Sequence, residues 1–530
     1  MDVISENHRK FLALVTSAAQ LATAGCWEEA AVQAQLAARF AWTDHTGLFG
    51  SQELEAVLGR IRQSIAPQHA PARGVGKRRH VMHVATQVYG TGGHTQSIAH
   101  WVRQDPSSQH ELIITRQGSS EVPAKIASCL PGATALTLLD RKTRGLVARA
   151  ALLRHLVSSA DVVVVHAHPH DVVPSLALGT PGTPPAVYVN HADHVFWQGT
   201  SAASVVMCLR ESGRILAVDR RGVDPGRCVT ANRPLELSPA SRPTGPRTSD
   251  RRRELGASED DFVVVSAAAG SKYDPVGPDS VIGLFHALLR EVPQARLIVA
   301  GPAPSGIWAK AEDSTGGRIR AIGRIPNISG LLSMADAYLD SFPFASLTSL
   351  LEAGTHGLPL VTFRGHPEGC DVLGSDSPGL DHHLLAPGNA AEFVAALKSL
   401  ANSADLRAAR GAAVRQAVLE THSPSAWQAT AERVYAAAAN ALPTPVGTGT
   451  TTLWSDGPLD RLVAGVQLET GYAGMGAAMA DTLPYFSPGE RVRQWAALRQ
   501  EMQLTPWQLL PDPYRCWLTD ARRRFLSRRA

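Results

Sequence analysis

DAYLDSFPFASLTSLLEAGTHGLPLVTF, residues Asp336–Phe363, decides how this chain is read. Ala337–Leu339 is a short apolar run ending at Asp340, the pattern of a buried parallel strand. A loop over Ser341–Leu347 leads into a helix expected near Thr348–Thr355, with Gly357 past its end. Leu360–Phe363 then reads as the next strand. Hydroxyl residues at the start of such a helix stand beside backbone N–H groups that have no intrahelical acceptor, and the helix dipole favours an anion there. Glu352, one turn further in, is placed to take a pair of sugar hydroxyls. The unit reads as a seat for a nucleotide diphosphate.

The same strand–helix alternation extends to both sides of that stretch. Upstream, FVVVSAAAGSKYDP is a strand and loop from Phe262, SVIGLFHALLREVP an amphipathic helix, ARLIVAG a strand, RIRAIGR a strand and loop, and ISGLLSM a helix. Downstream, AAEFVAALKSLAN and a long helix near Ala426–Ala441 close the series. An earlier series begins at His80: VMHVATQVY a strand, GTGGHTQSIAHWVRQ a glycine-rich loop entering a helix, then ELIITR, ATALTLL, DVVVVHAH, PAVYVNHADH and RILAVD as strands. Short apolar strands alternating with helices mean doubly wound parallel sheets, whose ligands gather at the carboxyl ends of the strands.

The fold class expected is therefore α/β, two Rossmann-like domains with helical extensions at both ends. The boundaries expected are a helical N-terminal segment over 1–70, a first Rossmann-like domain over 78–236, a second over 254–441 and a helical extension over 453–530. Pro- and Gly-rich linkers fall at Ala66–Lys77 and after Ala441, and a Pro-, Ser- and Arg-rich hinge at Leu237–Arg253. The first segment reads as a helix, a turn at Gly25 and a second helix, similar to a single tetratricopeptide-type hairpin.

Composition narrows the class. At 530 residues the chain is too long for one core, and 44% hydrophobic residues argue against disorder. A formal charge of +4 over that length gives no reason to expect a nucleic-acid partner. The six cysteines (Cys26, Cys129, Cys208, Cys228, Cys370 and Cys516) form no CxxC pair, which fits a reducing compartment. No apolar run reaches membrane-span length and the N-terminus has no signal pattern, so a cytoplasmic protein without a membrane span is expected.

The two Rossmann-like series resemble the O-GlcNAc transferase family and the related bacterial N-glycosyltransferases over about residues 80–440. The residues that carry the likeness are Lys272-Tyr273-Asp274-Pro275 after a strand, the "VP"-terminated helix that follows, the Asp340–Thr362 segment, and HVATQVYGTGGHTQSIA. Glu352, Gly354, Gly357 and Pro359 are also similar to the large retaining glycosyltransferase families of the same GT-B fold.

The resemblance implies donor-binding roles. Lys272, beside Ser271, would contact the diphosphate, though a solvated surface lysine is the plain alternative. Thr348 and Ser349, with Ser346 before them, would hold phosphate oxygens. Glu352 takes the position of the acidic ribose ligand. Gly323, Arg324 and Ile325 fall in the loop that grips the base, and Gly92 and Gly93 in the first glycine loop.

On the acceptor side His94 is the candidate general base, against a loop histidine that merely bonds to backbone. His191, Asp193 and His194 form a second catalytic candidate cluster, in which an Asp beside a His can fix its tautomer. His166, His168 and His170 are expected to line the site. No Asp-x-Asp pair occurs, so no metal and no resident cofactor are expected, only a nucleotide-sugar co-substrate.

Two departures from the family pattern stand out. Leu347 replaces the family's histidine before the hydroxyl pair, and Phe344 stands where the retaining families have their first glutamate. The first removes one sugar or phosphate contact, and the second points to inversion. The activity expected is metal-independent transfer of a sugar, from a UDP-sugar by preference, to a peptide, protein or small-molecule acceptor. A non-catalytic sugar-nucleotide-binding scaffold and a sugar-nucleotide epimerase are the alternatives, separable by transfer and interconversion assays. Oligomeric state is not legible.

Overall fold

The structure, a computed structural model, describes residues 2–67, 78–90, 93–235, 246–273, 279–374, 376–441, 453–469 and 473–527. The chain divides into two compact units.

The first unit holds Met1–Leu209, Gly213–Ala231 and Gln428–Ala530. Its seven-stranded sheet has the order β3-β2-β1-β4-β5-β6-β7. The strands are β1 (His80–Ala85), β2 (Gln109–Ile114), β3 (Leu136–Leu138), β4 (Val162–His166), β5 (Ala186–Asn190), β6 (Val205–Cys208) and β7 (Cys228–Thr230). All pairs are parallel, with Ala85 opposite His166 at the carboxyl ends of the central strands. β4 and β5 are buried along their whole length, as expected of strands covered on both faces.

Helices Val3–Thr23, Trp27–Thr43 and Gln52–Ser64 form the N-terminal segment. Asp2 caps the first, and Gly25, with φ of 76°, makes the turn into the second. Ala30, Ala34, Ala37, Ala38 and Ala41 are fully buried on the second helix, where small side chains allow close helix approach. Helices Pro458–Glu469, Met475–Thr482, Pro488–Leu498 and Asp512–Ser527 make the C-terminal part of this unit.

One strand expectation is corrected. RILAVD, Arg214–Asp219, lies inside the helix Glu211–Arg221, and the strand before it is β6, Val205–Cys208. Ser212, Gly213, Leu216 and Ala217 are buried while Ile215 is exposed, which is helical periodicity.

The second unit holds Arg210–Ser212 and Asn232–Trp427. Its five-stranded parallel sheet has the order β10-β9-β8-β11-β12, from β8 (Phe262–Ala267), β9 (Ala295–Ala300), β10 (Ile319–Ala321), β11 (Ala337–Leu339) and β12 (Leu360–Val361). Val264, Leu297 and Val299 enter the core on one face, and Val263, Val265 and Ile298 the core on the other.

Two boundaries differ from expectation. Pro246–Glu254, expected in the hinge, is a helix whose Arg252 pairs with Asp336 at 2.9 Å. The helix Pro424–Asn440 leaves the second unit at Gln428, and Tyr435 ties it to the first: its hydroxyl accepts from Trp101 Nε1 at 2.7 Å and donates to Asp105 at 2.8 Å. The helix Ala404–His422 closes the second unit instead. A Cβ at its Gly411 would lie 1.9 Å from the carbonyl oxygen of Gly357, so glycine is required for that crossing. The interdomain linkers at 68–77, 236–245 and 442–452 lie outside the described residues.

Candidate functional site

In the second unit the chain leaves β8 towards β9 and leaves β11 towards β12 on the other side. The gap between the two loops is the switch point at which doubly wound sheets bind ligands. The turn Gly270–Tyr273 after β8 carries Ser271 and Lys272, and the loop after β11 leads into the helix Leu347–Thr355. These two loops touch. Lys272 Nζ donates to the carbonyl oxygen of Ala345 at 2.7 Å, and the N–H of Phe344 reaches the Lys272 carbonyl at 3.5 Å.

Asp340 sets the shape of this loop. It is 1% exposed, and its Oδ1 accepts from the N–H groups of Ser341 at 2.8 Å and Ser346 at 2.9 Å. Burial pushes the Asp340 carboxyl up, and these bonds with the nearby Lys272 charge pull it back. Among the described residues the N–H groups of Leu347, Thr348 and Ser349 have no acceptor. Ser346 occupies the capping position without bonding the helix backbone; its hydroxyl donates to Ser349 Oγ at 3.3 Å. A cation and three free amides therefore meet at a half-buried rim, an arrangement suited to a diphosphate.

Glu352 is half-buried on the same helix, and burial alone raises its carboxyl. Gly323, Arg324 and Ile325 follow β10, two strands from β8. Gly323 has φ of 72° and its carbonyl accepts from Gly301 N–H at 2.8 Å; Arg324 is exposed and Ile325 packs on the core. Gly92, Asp274 and Pro275 lie outside the described residues.

In the first unit the switch point lies between β1 and β4. Gly93 opens the helix Gly93–Gln104 and His94 follows. His94 Nε2 is 2.7 Å from the carbonyl oxygen of His166, and the His94 ring lies 4.7 Å from that of His191. A carbonyl only accepts, so Nε2 carries the proton and Nδ1 is the basic atom of His94. His191 donates from Nδ1 to the carbonyl of Val189 at 3.2 Å, and His194 from Nδ1 to Asp193 Oδ1 at 3.2 Å. Both keep Nε2 as the basic atom.

Residues far apart in sequence complete this surface. Tyr89, 41% exposed, lies parallel to His168 with ring centres 6.0 Å apart, and its hydroxyl is 3.2 Å from His168 Nε2. Trp42, from the helix Trp27–Thr43, stacks on His170 at 5.0 Å. Asp481, from Met475–Thr482, lies 3.6 Å from His170 Nε2 and accepts from Arg39 at 3.2 Å and Arg116 at 3.1 Å. Burial drives the His170 ring down to about 3, and His166 and His168 well below the usual range, so all three are neutral acceptors or donors near neutral pH. Trp42, Arg39, Arg116 and Asp481 carried no local motif by which they could be singled out, and Tyr89 lay unremarked within the first glycine-loop segment. Among the described residues no three His, Cys, Asp or Glu side chains are grouped to hold a metal ion.

Residues 265–403 match the family model of Glycosyl transferases group 1, over the segment that carries Lys272 and the Leu347–Thr355 helix. The chain has the GT-B fold of glycosyltransferases, and its second unit carries the match to that family over this segment. Its fold is similar to that of a glycosyltransferase from Rickettsia africae, with a TM-score of 0.54 and 9% identity over 69% of this chain and 100% of that one. A mutant of the Thermobaculum terrenum O-GlcNAc transferase aligns with a TM-score of 0.51 and 16% identity over 82% of each chain. Anabaena HepE in complex with UDP and glucose aligns with a TM-score of 0.51 and 14% identity, covering 67% of this chain and 99% of that one. No curated protein matches this chain.

Proposed function

We propose that this protein transfers a sugar from a UDP-sugar to an acceptor nucleophile without a metal ion and with inversion at the sugar carbon. The observation that carries the reading is the contact of Lys272 with the amide-rich start of the Leu347–Thr355 helix. Both groups favour the charge that grows on a diphosphate as the bond to the sugar breaks. Glu352, half-buried with no compensating cation among the described residues, suits the ribose hydroxyls. The UDP of the HepE structure supports uridine as the nucleotide. The first unit then holds the acceptor. His94 Nδ1, which is buried in this structure and has to be uncovered to act, takes the proton of the acceptor O–H or N–H, the freed electron pair attacks the anomeric carbon, and UDP leaves with the electrons of the C–O bond. A peptide, protein or small-molecule acceptor is consistent with this chemistry.

A thermal-shift screen of nucleoside diphosphates and their sugars on wild type and Lys272→Ala tests the donor assignment. The expected result is stabilisation by UDP or a UDP-sugar that the variant loses. Equal stabilisation of both proteins, or none by any nucleotide, contradicts it. Binding without transfer or hydrolysis would favour a scaffold, and donor interconversion without acceptor an epimerase.

A further inference from the structure

The helix Asp512–Ser527 is turned inside out relative to its own hydropathy. Its polar residues face the protein. Asp512 is 3% exposed and pairs with Arg149 at 3.1 Å, Arg515 pairs with Asp512, and Asp520 with Arg141. Arg523 donates to the Ser119 carbonyl at 2.6 Å, and Cys516 Sγ is 3.2 Å from the Gly118 carbonyl. The large apolar residues face away: Trp517 is 66% exposed, Phe525 55%, Tyr514 47% and Leu518 38%. Tyr514, Leu518, Ala521 and Phe525 recur at helical spacing, so they form one stripe, with Trp517 on one flank and exposed Arg522 on the other. The neighbouring Arg144 stacks on the Tyr514 ring at 4.4 Å.

An aromatic stripe of this kind would be excluded from water if it had a partner. The charge beside it says which partner. From Asp512 to Ala530 the sequence holds six arginines and two aspartates; both aspartates are spent on arginines of the fold, Arg515 and Arg523 are themselves held by carboxylates, and Arg522 stands exposed beside the stripe. A second copy of this helix would bring like charges together. An anionic bilayer surface offers an apolar layer for the aromatic rings and phosphates for the guanidinium groups. No helix among the described residues is long and apolar enough to cross a membrane, so the attachment is to the surface.

We propose that the helix Asp512–Ser527 docks this protein on anionic membrane surfaces, its Tyr514–Phe525 stripe entering the headgroup layer. This is independent of the sugar-transfer reading, and donor binding serves as the control that separates the two.

Flotation of the full chain with vesicles tests it. One set is phosphatidylcholine alone, and the other carries roughly 30% phosphatidylglycerol. The wild type is expected to float with the anionic set and to release as salt rises. The Trp517→Glu/Phe525→Glu double variant should partition at least about tenfold more weakly, with unchanged melting temperature and nucleotide binding. Trp517→Ser alone, at a site with no packing to lose, should show a smaller loss in the same direction. The proposal is overturned if the wild type stays unbound to anionic vesicles at low salt. It is equally overturned if both variants bind as the wild type does, or if the wild type without vesicles is a dimer that the double variant breaks.

Discussion

His94 Nε2 lies 2.7 Å from the main-chain oxygen of His166. One short bond joins the start of a helix to the carboxyl end of β4, and it settles which nitrogen of His94 can accept a proton. Glutamine at this position keeps an amide donor for the carbonyl but offers no base. His94→Gln should therefore lower kcat by about 10²–10⁴ while donor affinity and melting temperature stay near wild type. Steady-state kinetics with calorimetric donor titration would show this. A kcat within a factor of about three of wild type would remove His94 from the chemistry.

Glu352 should affect donor affinity rather than the bond-breaking step. Its carboxyl is raised by burial and no cation among the described residues compensates it, so the site suits a neutral hydrogen-bond donor. In Glu352→Gln the donor KM should rise about five- to tenfold with kcat little changed. A fall in kcat at constant KM would place the residue at the reacting centre instead.

Asp512 anchors the C-terminal helix to the sheet of the first unit. It is 2% exposed as a side chain against Arg149 at 1%, and Arg116 approaches it at 3.7 Å. Removing one partner of such a pair leaves buried positive charge unpaired. Asp512→Ala should cost about 3–5 kcal/mol of stability, read by denaturant melts. Asp512→Asn, which keeps a hydrogen-bond acceptor, should cost less. Equal and small losses in both would mean the helix is not held by this pair.

Acid should weaken the fold earlier than its carboxylates explain. Burial lowers His83, His166 and His168 well below their ordinary value and His170 to about 3. The first two are linked in a chain: His83 Nδ1 is 3.1 Å from His166 Nε2, and His83 Nε2 is 3.1 Å from His110 Nδ1. These rings stay neutral in the folded state while the unfolded chain takes up protons below about pH 6.5. Their contribution is complete above that pH and is lost as pH falls. Asp481, which burial would raise but the Arg116 and Arg39 charges hold below the ordinary carboxylate range, loses its contribution only as pH falls through and below that range. Melting temperature should thus fall between pH 7.5 and 5.5, with uptake of more than about one proton on unfolding. A flat profile over that window would mean the rings titrate normally.

Much of the candidate donor site was legible because its signals are local. Lys272 follows a strand within a few residues, and the hydroxyl residues Thr348 and Ser349 open a helix whose end Gly357 marks. The candidate acceptor surface was legible only in part. His94 and His191 sit in recognisable loops, whereas Trp42 and Asp481 come from opposite ends of the chain and meet only at His170. RILAVD was misread because four consecutive apolar residues look alike in a strand and in a helix buried on one side, and only the exposed Ile215 distinguishes them.

The sequence alone determined two doubly wound sheets and the cation and amide-rich turn placed after two of their strands. Backbone periodicity and turn chemistry act over a few residues and leave their mark in the order of the letters. Tertiary structure alone decided which remote side chains share a strand end and which face of Asp512–Ser527 looks outward. Hydropathy would bury Trp517 and Phe525; the arginines Arg149, Arg116 and Arg141, supplied by distant segments, claim the aspartates and turn the aromatic face to solvent.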